Sequence, residues 1–301
     1  MKGVFEMIKI QALTKSYKKR NVVDRVTFNI EEGKCTALIG TNGAGKSTLI
    51  DMIIGDRKAD SGQIIDYNKL LNSHKLSVMF QKTNFPESIK VKELYRLFSG
   101  LYKDSIDFET FCAMTRFDKQ QLDQYANKLS GGQKRILDFS LSLIGKPKCL
   151  FLDEPTSAMD AQMRNHFWDI ITNLKNEGVT IFYTSHYIEE VERMADKVIV
   201  LEKGKVVIDD YPDKIRERKE LSMINLPIHY KVKIQNIERY CKCHVLFKYN
   251  KVTIETTNVR EIVEYLNNIR VNLNEIEITK ASLLDTIFNK GDEKEEEIND
   301  Y

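Results

Sequence analysis

Four short apolar runs recur along the chain, at Cys35 to Ile39, Leu76 to Phe80, Cys149 to Leu152 and Val179 to Tyr183. Near-continuous apolar runs of this length suit strands buried on both faces of a parallel sheet. The stretches between them have helical spacing. Ser47 to Ile54 forms one such stretch. Val91 to Tyr102 sets Leu94, Leu97, Phe98 and Leu101 on one face, and Met163 to Leu174 does the same with Phe167, Ile170, Ile171 and Leu174. Strands and helices in this alternation predict an α/β core. Ile8 to Ile30 alternates instead and is rich in β-branched residues, which predicts an antiparallel edge sheet. The helical pattern between Phe85 and Tyr125 predicts a helical subdomain over about residues 85–145.

After about Lys219 the pattern changes. Tyr230, Val232 and Ile234 alternate with polar residues, and Val245 to Tyr249 and Val252 to Thr256 read as two strands. Val259, Ile262, Val263 and Leu266 mark a helix, and Leu283, Leu284, Ile287 and Phe288 mark another. The expected organisation is a first domain over residues 1–218, a small α+β module over 219–290, and an acidic tail over 291–301. The tail cannot bury a core and is expected to be disordered. No internal repeat is visible.

What ends each buried run is more informative than the runs themselves. The first enters Gly40, the second Gln81, the third Asp153-Glu154, and the fourth leads through Thr184 to Ser185-His186. In an open parallel sheet, ligands bind outside the carboxyl ends of the strands. A loop, an amide, two carboxylates and an imidazole are therefore expected at one edge.

Composition narrows the setting. The 301 residues are 42% hydrophobic and 30% charged, as in a globular protein of one large or two ordinary domains. A net charge of +2 implies no strong field for nucleic acid. The basic runs Lys18-Lys19-Arg20 and Lys214 to Lys219 read as solvated faces. Met1 to Ile10 is interrupted by Lys2, Glu6 and Lys9 and has no apolar signal core. The five cysteines are then expected to be reduced thiols in a cytosolic protein. Cys241-Lys242-Cys243-His244 lacks a second cluster to complete the roughly four ligands of a metal site, so a half-buried strand is the better reading. No apolar run approaches the ~18 residues that would span a bilayer.

Three motifs carry chemistry. Gly40, Thr41, Asn42, Gly43, Ala44, Gly45, Lys46 and Ser47, followed by Thr48, complete a G-x-x-x-x-G-K-[ST] phosphate loop. Its glycines let backbone amides turn inward, the following helix adds its positive end, Lys46 reaches the β- and γ-phosphates, and the Ser47 hydroxyl can ligate Mg²⁺. Asp153 closes an apolar strand as a second Mg²⁺-side group. Neighbouring residues at a strand end point in different directions, which makes Glu154 the candidate general base for an attacking water. An exposed acidic turn before Pro155 is the alternative, and the buried strand argues against it. Leu129, Ser130, Gly131, Gly132 and Gln133 open a helix running through Ile136, Leu137, Phe139, Leu141, Leu143 and Ile144. That start offers a hydroxyl, unblocked amides and a positive dipole end, a second anion-binding device in the same chain.

With Leu129 to Gln133 lying between the phosphate loop and Asp153-Glu154, residues 8–218 resemble the ATP-binding-cassette (ABC) ATPases. Ser157-Ala158-Met159-Asp160 resembles the D-loop of that family, and Lys134-Arg135 also fits it. The resemblance implies that Gln81 contacts metal or water, that His186 contacts the γ-phosphate, and that Tyr17 stacks on adenine. It implies a head-to-tail dimer in which Ser130, Gly131, Gly132 and Gln133 of one subunit close on ATP held by the other, with Asp160 at the shared site. A homodimer is favoured over a heterodimer, since every motif is intact. Ala281 to Phe288 looks like the last helix of the accessory domain of export-type subunits, although Leu284 stands where that motif usually has an acid. The implied role is the ATPase of an exporter, cytoplasmic and held at the inner face of the membrane by a separate permease. Lys82 to Leu94 would be the docking surface, with Phe85 and Pro86 as its rigid contact. An importer ATPase is the alternative. A soluble ABC protein of translation or DNA repair is further away, because there is one phosphate loop and no long heptad insertion.

Overall fold

The computed structural model describes residues 7–18, 20–218, 222–248 and 250–280. It divides into two compact units, Met1–Asp210 and Tyr211–Tyr301.

The first unit begins with strands β1 (Met7–Tyr17), β2 (Arg20–Glu31) and β3 (Cys35–Ile39), helix α1 (Lys46–Ile53), and strands β4 (Ser61–Asp66) and β5 (Leu76–Met79). Helices α2 (Val91–Ser99), α3 (Phe108–Thr115), α4 (Lys119–Asp123) and α5 (Gly131–Ser142) follow. It closes with β6 (Cys149–Leu152), α6 (Ala161–Asn176), β7 (Thr180–Thr184), α7 (Ile188–Met194), β8 (Lys197–Glu202) and β9 (Lys205–Asp210). The core sheet has the order β5-β6-β7-β3-β8-β9. Its pairs are parallel except β8 with β9.

Every residue of β3, β6 and β7 is buried, as their apolar runs require. β5 departs from the expected two-sided burial. It is the outermost strand and only half-buried, and Phe80 just beyond it is 48% exposed. β8 adds a buried run, Val198 to Leu201, that carries none of the motifs and was not among the four runs. The antiparallel sheet β2-β1-β4 lies on the N-terminal side of the chain as expected, with β4 as a third strand. Its Ile8, Ile10, Val23, Phe28 and Ile30 join Leu38 and α1 in one apolar cluster.

The helical region starts from caps written in the sequence. Asp107 accepts from the Thr110 amide, and Asp118 and Ser130 form capping boxes with Gln121 and Gln133. Such caps stabilise a helix by about 1 kcal/mol each. α2 buries only Val91 and Leu94 and stops at Ser99, which leaves Leu97 and Leu101 exposed. α5 is the opposite case. Ile136, Leu137, Phe139 and Leu141 are all buried, so the helix opened by the second anion-binding turn is held firmly in the core.

The second unit contains α8 (Pro212–Arg218), β10 (Ser222–Pro227), α9 (Lys231–Ile234), β11 (Cys243–Lys248), β12 (Lys251–Thr256), α10 (Val259–Asn268) and β13 (Glu277–Lys280). Its antiparallel sheet has the order β11-β12-β10-β13. Ile262 and Leu266 of α10 pack on Ile224, Leu226, Val252 and Ile254. The expected strand through Tyr230, Val232 and Ile234 is instead helical, and the strand lies upstream as β10. Tyr230 and Ile234 are four apart, the spacing of one helical face, and both are buried, while Val232 is 75% exposed. Cys243 and His244 begin β11 as expected, with Cys241 buried in the turn before it. No cluster of three metal-ligating side chains occurs among the described residues. The expected helix over Leu283 to Phe288 and the acidic tail lie outside the described residues.

Candidate active site

The phosphate loop is wedged between strands that leave no room for side chains at two of its glycines. A Cβ on Gly40 would lie 2.3 Å from the Leu201 carbonyl oxygen of β8, and one on Gly45 would lie 2.5 Å from that of Val22 in β2. Gly45 also has φ +106°, a conformation other residues rarely adopt. The turn after β8 fixes the loop from the other side, where the Gly204 amide donates to Ala44 O at 3.1 Å. α1 then starts at Lys46 with no acidic residue in its first turn, so its positive end is not cancelled. Thr41, Asn42, Gly43 and Ser47 are exposed and Thr48 is half-buried on α1. Lys46 is only 6% exposed, and its ammonium donates to Gly40 O at 2.8 Å and Thr41 O at 3.3 Å. Burial pulls the Lys46 ammonium below the usual lysine range, opposed by the charges of Glu154 and Asp153.

The acids beyond β6 point in different directions, as expected for neighbours at a strand end. Asp153 is buried and accepts from two hydroxyls, Ser47 Oγ at 2.8 Å and Thr184 Oγ1 at 2.6 Å. Glu154 turns outward. Its Oε2 accepts from Gln81 Nε2 at 2.9 Å, and its Oε1 is hydrogen-bonded to His186 Nε2 at 2.5 Å. A hydrogen bond to a carboxylate oxygen puts the imidazole proton on Nε2. The residues that follow three different strands of the core sheet, β5, β6 and β7, thus meet on one carboxylate.

Glu154 pays for this position with a left-handed backbone, φ +47°. That conformation costs a non-glycine residue about 1–2 kcal/mol and must be held by its surroundings. Two side chains hold it. The Glu154 amide donates to Thr184 Oγ1 at 2.8 Å, and the Glu154 carbonyl accepts from Arg135 Nη2 at 2.9 Å. Arg135, on the second turn of α5, is 6% exposed and donates to further backbone carbonyls. Nη1 reaches Phe80 O at 2.7 Å and Gln81 O at 3.2 Å, Nη2 reaches Asp153 O at 3.2 Å, and Nε reaches Pro155 O at 3.3 Å. One helical turn on, Asp138 accepts from the Thr83 hydroxyl. Burial pushes the Asp138 carboxyl up, opposed by Thr83 and Arg135. Glu190 accepts from Thr156 and Ser185 at 3.0 Å each, tying the loop after β6 to the loop after β7.

Thr184 and Glu190 had no signal in the sequence beyond neighbouring a motif, and Arg135 read only as part of one. Their work is done on backbone groups and hydroxyls that a sequence does not display.

The turn expected to be a second anion-binding device forms a capping box. Ser130 Oγ accepts from the Gln133 amide at 3.3 Å, and Gln133 Oε1 accepts from the Ser130 amide at 2.9 Å. The hydroxyl proton of Ser130 and the first amides of α5, at Gly131 and Gly132, are not used by this cap. Gly132 also allows close approach, since a Cβ there would lie 3.0 Å from Ala158 O of the following loop. Asp160 ends that loop as the cap of α6, accepting from the Met163 amide at 2.8 Å. Tyr17, 40% exposed at the end of β1, accepts from Arg57 Nη1 at 2.6 Å. It sits on the hairpin whose Val22 backbone abuts Gly45.

The donor set suits Mg²⁺. A hydroxyl and a carboxylate, Ser47 and Asp153, stand side by side next to a phosphate cradle, and Mg²⁺ is held by one or two such hard oxygens together with phosphate oxygens.

A phosphate loop at the carboxyl edge of a parallel sheet, with a metal-side aspartate and an adjacent glutamate, defines a P-loop nucleotide hydrolase. The comparisons with known proteins give its family. The profile described as ABC transporter matches residues 23–157. The Nod factor export ATP-binding protein I of Mesorhizobium japonicum is 31% identical over 214 residues, 67% of this chain and 63% of that protein. The linearmycin resistance ATP-binding protein LnrL of Bacillus subtilis is 30% identical over 215 residues, 67% of this chain and 68% of that protein. Among solved structures, an ATP-binding subunit of an ABC transporter aligns with a TM-score of 0.63 at 24% identity, over 70% of this chain and 92% of that one. The dimeric ABC transporter cassette MJ0796 aligns with a TM-score of 0.60 at 24% identity, over 68% and 98%. The chain therefore belongs to the ABC transporter family. The match spans less than two thirds of the Mesorhizobium relative.

Proposed function

We propose that this chain is the ATPase of an exporter, working as a head-to-tail pair of identical subunits that enclose ATP and act on a separate membrane-spanning partner. The carrying observation is the grip on Glu154. Gln81 and His186 hold its two carboxylate oxygens, beside a Ser47–Asp153 pair fit for Mg²⁺. In this reading Glu154 takes the proton of the attacking water, Gln81 orients that water, and His186 contacts the γ-phosphate. Gly40 to Thr48 cradle the phosphates, Lys46 neutralises charge developing on them, and Tyr17 stacks on the adenine. Bound Mg²⁺, held by Ser47 and Asp153 with Gln81 nearby, would neutralise charge on the phosphate oxygens.

The pairing follows from the second anion-binding turn. The free donors at Ser130, Gly131 and Gly132 complete the partner's ATP site, with Gln133 holding the turn and Asp160 near the junction, so a two-fold pair encloses two ATP molecules. The export direction rests on the names of the relatives, a Nod factor exporter and a linearmycin resistance protein. No helix among the described residues is long and apolar enough to cross a membrane. In this reading the membrane path belongs to another chain, docked at residues 82–94 through Phe85 and Pro86, with this subunit on the cytoplasmic face.

Glu154→Gln tests the chemistry. It keeps the Gln81 contact but removes the base, and steady-state phosphate release should fall roughly 10²–10⁴-fold, the usual scale for general base catalysis, with ATP affinity retained. Hydrolysis at the wild-type rate by purified Glu154→Gln would overturn the assignment.

A further inference from the structure

We propose that Arg135 is a positioning residue for hydrolysis: its buried guanidinium sets the backbone from which Gln81 and Glu154 reach their shared contact, and joins that backbone to the helix opened by Ser130. The proposal rests on the reading of Glu154 as the general base.

The guanidinium has five N–H donors in a rigid planar fork. Here all three of its nitrogens are spent on backbone carbonyls at the ends of β5 and β6. Its nearest carboxylate is that of Asp138 at 3.9 Å, too far for a hydrogen bond. Arg135 is therefore a clamp on two loops. One contains the carbonyl of Gln81 itself, and the other contains that of Glu154, the residue held at φ +47°. Without the clamp, carbonyls of both loops lose a donor and the left-handed turn at Glu154 keeps only the Ser157 and Thr184 anchors. The side chains that meet at 2.9 Å then no longer start from fixed points. The Asp138–Thr83 hydrogen bond runs parallel to it, from the same helix to the residue two beyond Gln81.

The hydrogen bonds of Arg135 go to the loops after β5 and β6 and not to the phosphate loop, so nucleotide binding and catalysis should separate. The test is a double-mutant cycle of wild type, Arg135→Gln, Glu154→Gln and the double variant. Steady-state kinetics, single-turnover phosphate release and binding of a fluorescent ATP analogue are measured on each. Arg135→Gln should lower kcat roughly 10- to 100-fold, as a misplacement of about 1 Å does, with KM and analogue affinity within about twofold. In the Glu154→Gln background, the same change should alter the residual single-turnover rate by less than about twofold, because positioning a missing base has no value. Wild-type kcat in Arg135→Gln overturns the proposal. So does an equal fold loss in both backgrounds, or a loss of analogue affinity in step with kcat, either of which marks a purely structural side chain. If Glu154→Gln alone turns over normally, the general-base reading falls first and takes the proposal with it, a result distinct from the others. Should Arg135→Gln fail to fold, Arg135→Lys serves in the same cycle. It keeps the charge and the apolar stem but cannot span five carbonyls, and the same pattern is expected at smaller amplitude.

Discussion

At the scale of single residues, the site is a set of short-range contacts around two neighbouring acids with opposite surroundings. Asp153 is buried under two hydroxyls, while Glu154 leans outward between an amide and an imidazole. Gln81, Asp153, Glu154 and His186 were visible in the sequence, because each follows a short apolar run. Those that hold the backbone were not, because a buried arginine beside a lysine reads like any surface pair. The cysteines give an independent check on burial. Cys35 and Cys149 are fully buried in β3 and β6, and burial pushes the Cys35 thiol up to about 12. Burial pushes the half-buried Cys243 thiol up to about 11 and raises Cys112 as well. A thiol-specific reagent near neutral pH, read by peptide mapping, should label Cys112 and Cys243 first and reach Cys35 and Cys149 only on unfolding, since the thiolate is the reactive form. Rapid native labelling of Cys149 would contradict the placement of β6 between β5 and β7 in the sheet.

At the scale of elements, apolar periodicity located the strands that carry motifs, and turn and cap residues located the helix starts. It missed where burial departs from pattern. β5 has the apolar run of a central strand but lies at the edge, because neighbour order is a tertiary property. Tyr230, Val232 and Ile234 satisfy a period of two and, for the outer pair, a period of four, and packing on the second unit's core decides for the helix. The phosphate loop tolerates little change, since backbone bounds it at both Gly40 and Gly45. Gly45→Ala should cost roughly 1–3 kcal/mol from backbone strain, and more if the β2 strand cannot yield. Thermal unfolding should show a lower midpoint, and nucleotide affinity should weaken as the loop shifts. An unchanged midpoint with normal affinity would mean that the Val22 contact is not present in solution.

At the scale of the whole molecule, the chain carries two glycine-rich helix starts, α1 behind the phosphate loop and α5 behind Ser130. The fold of the first unit is that of solved ABC cassettes, one of them dimeric. The second unit, from Tyr211, has its own antiparallel sheet and core. The central claim is that the Ser130 turn of one subunit closes on the ATP of the other. The direct measurement is the solution mass of Glu154→Gln by light scattering with and without ATP, alongside the same protein carrying Ser130→Arg. The account predicts twice the chain mass for Glu154→Gln with saturating ATP, one bound ATP per chain, and a monomer that still binds ATP once Ser130→Arg is added. A Ser130→Arg variant that dimerises as readily, or that loses ATP affinity as a monomer, would contradict it.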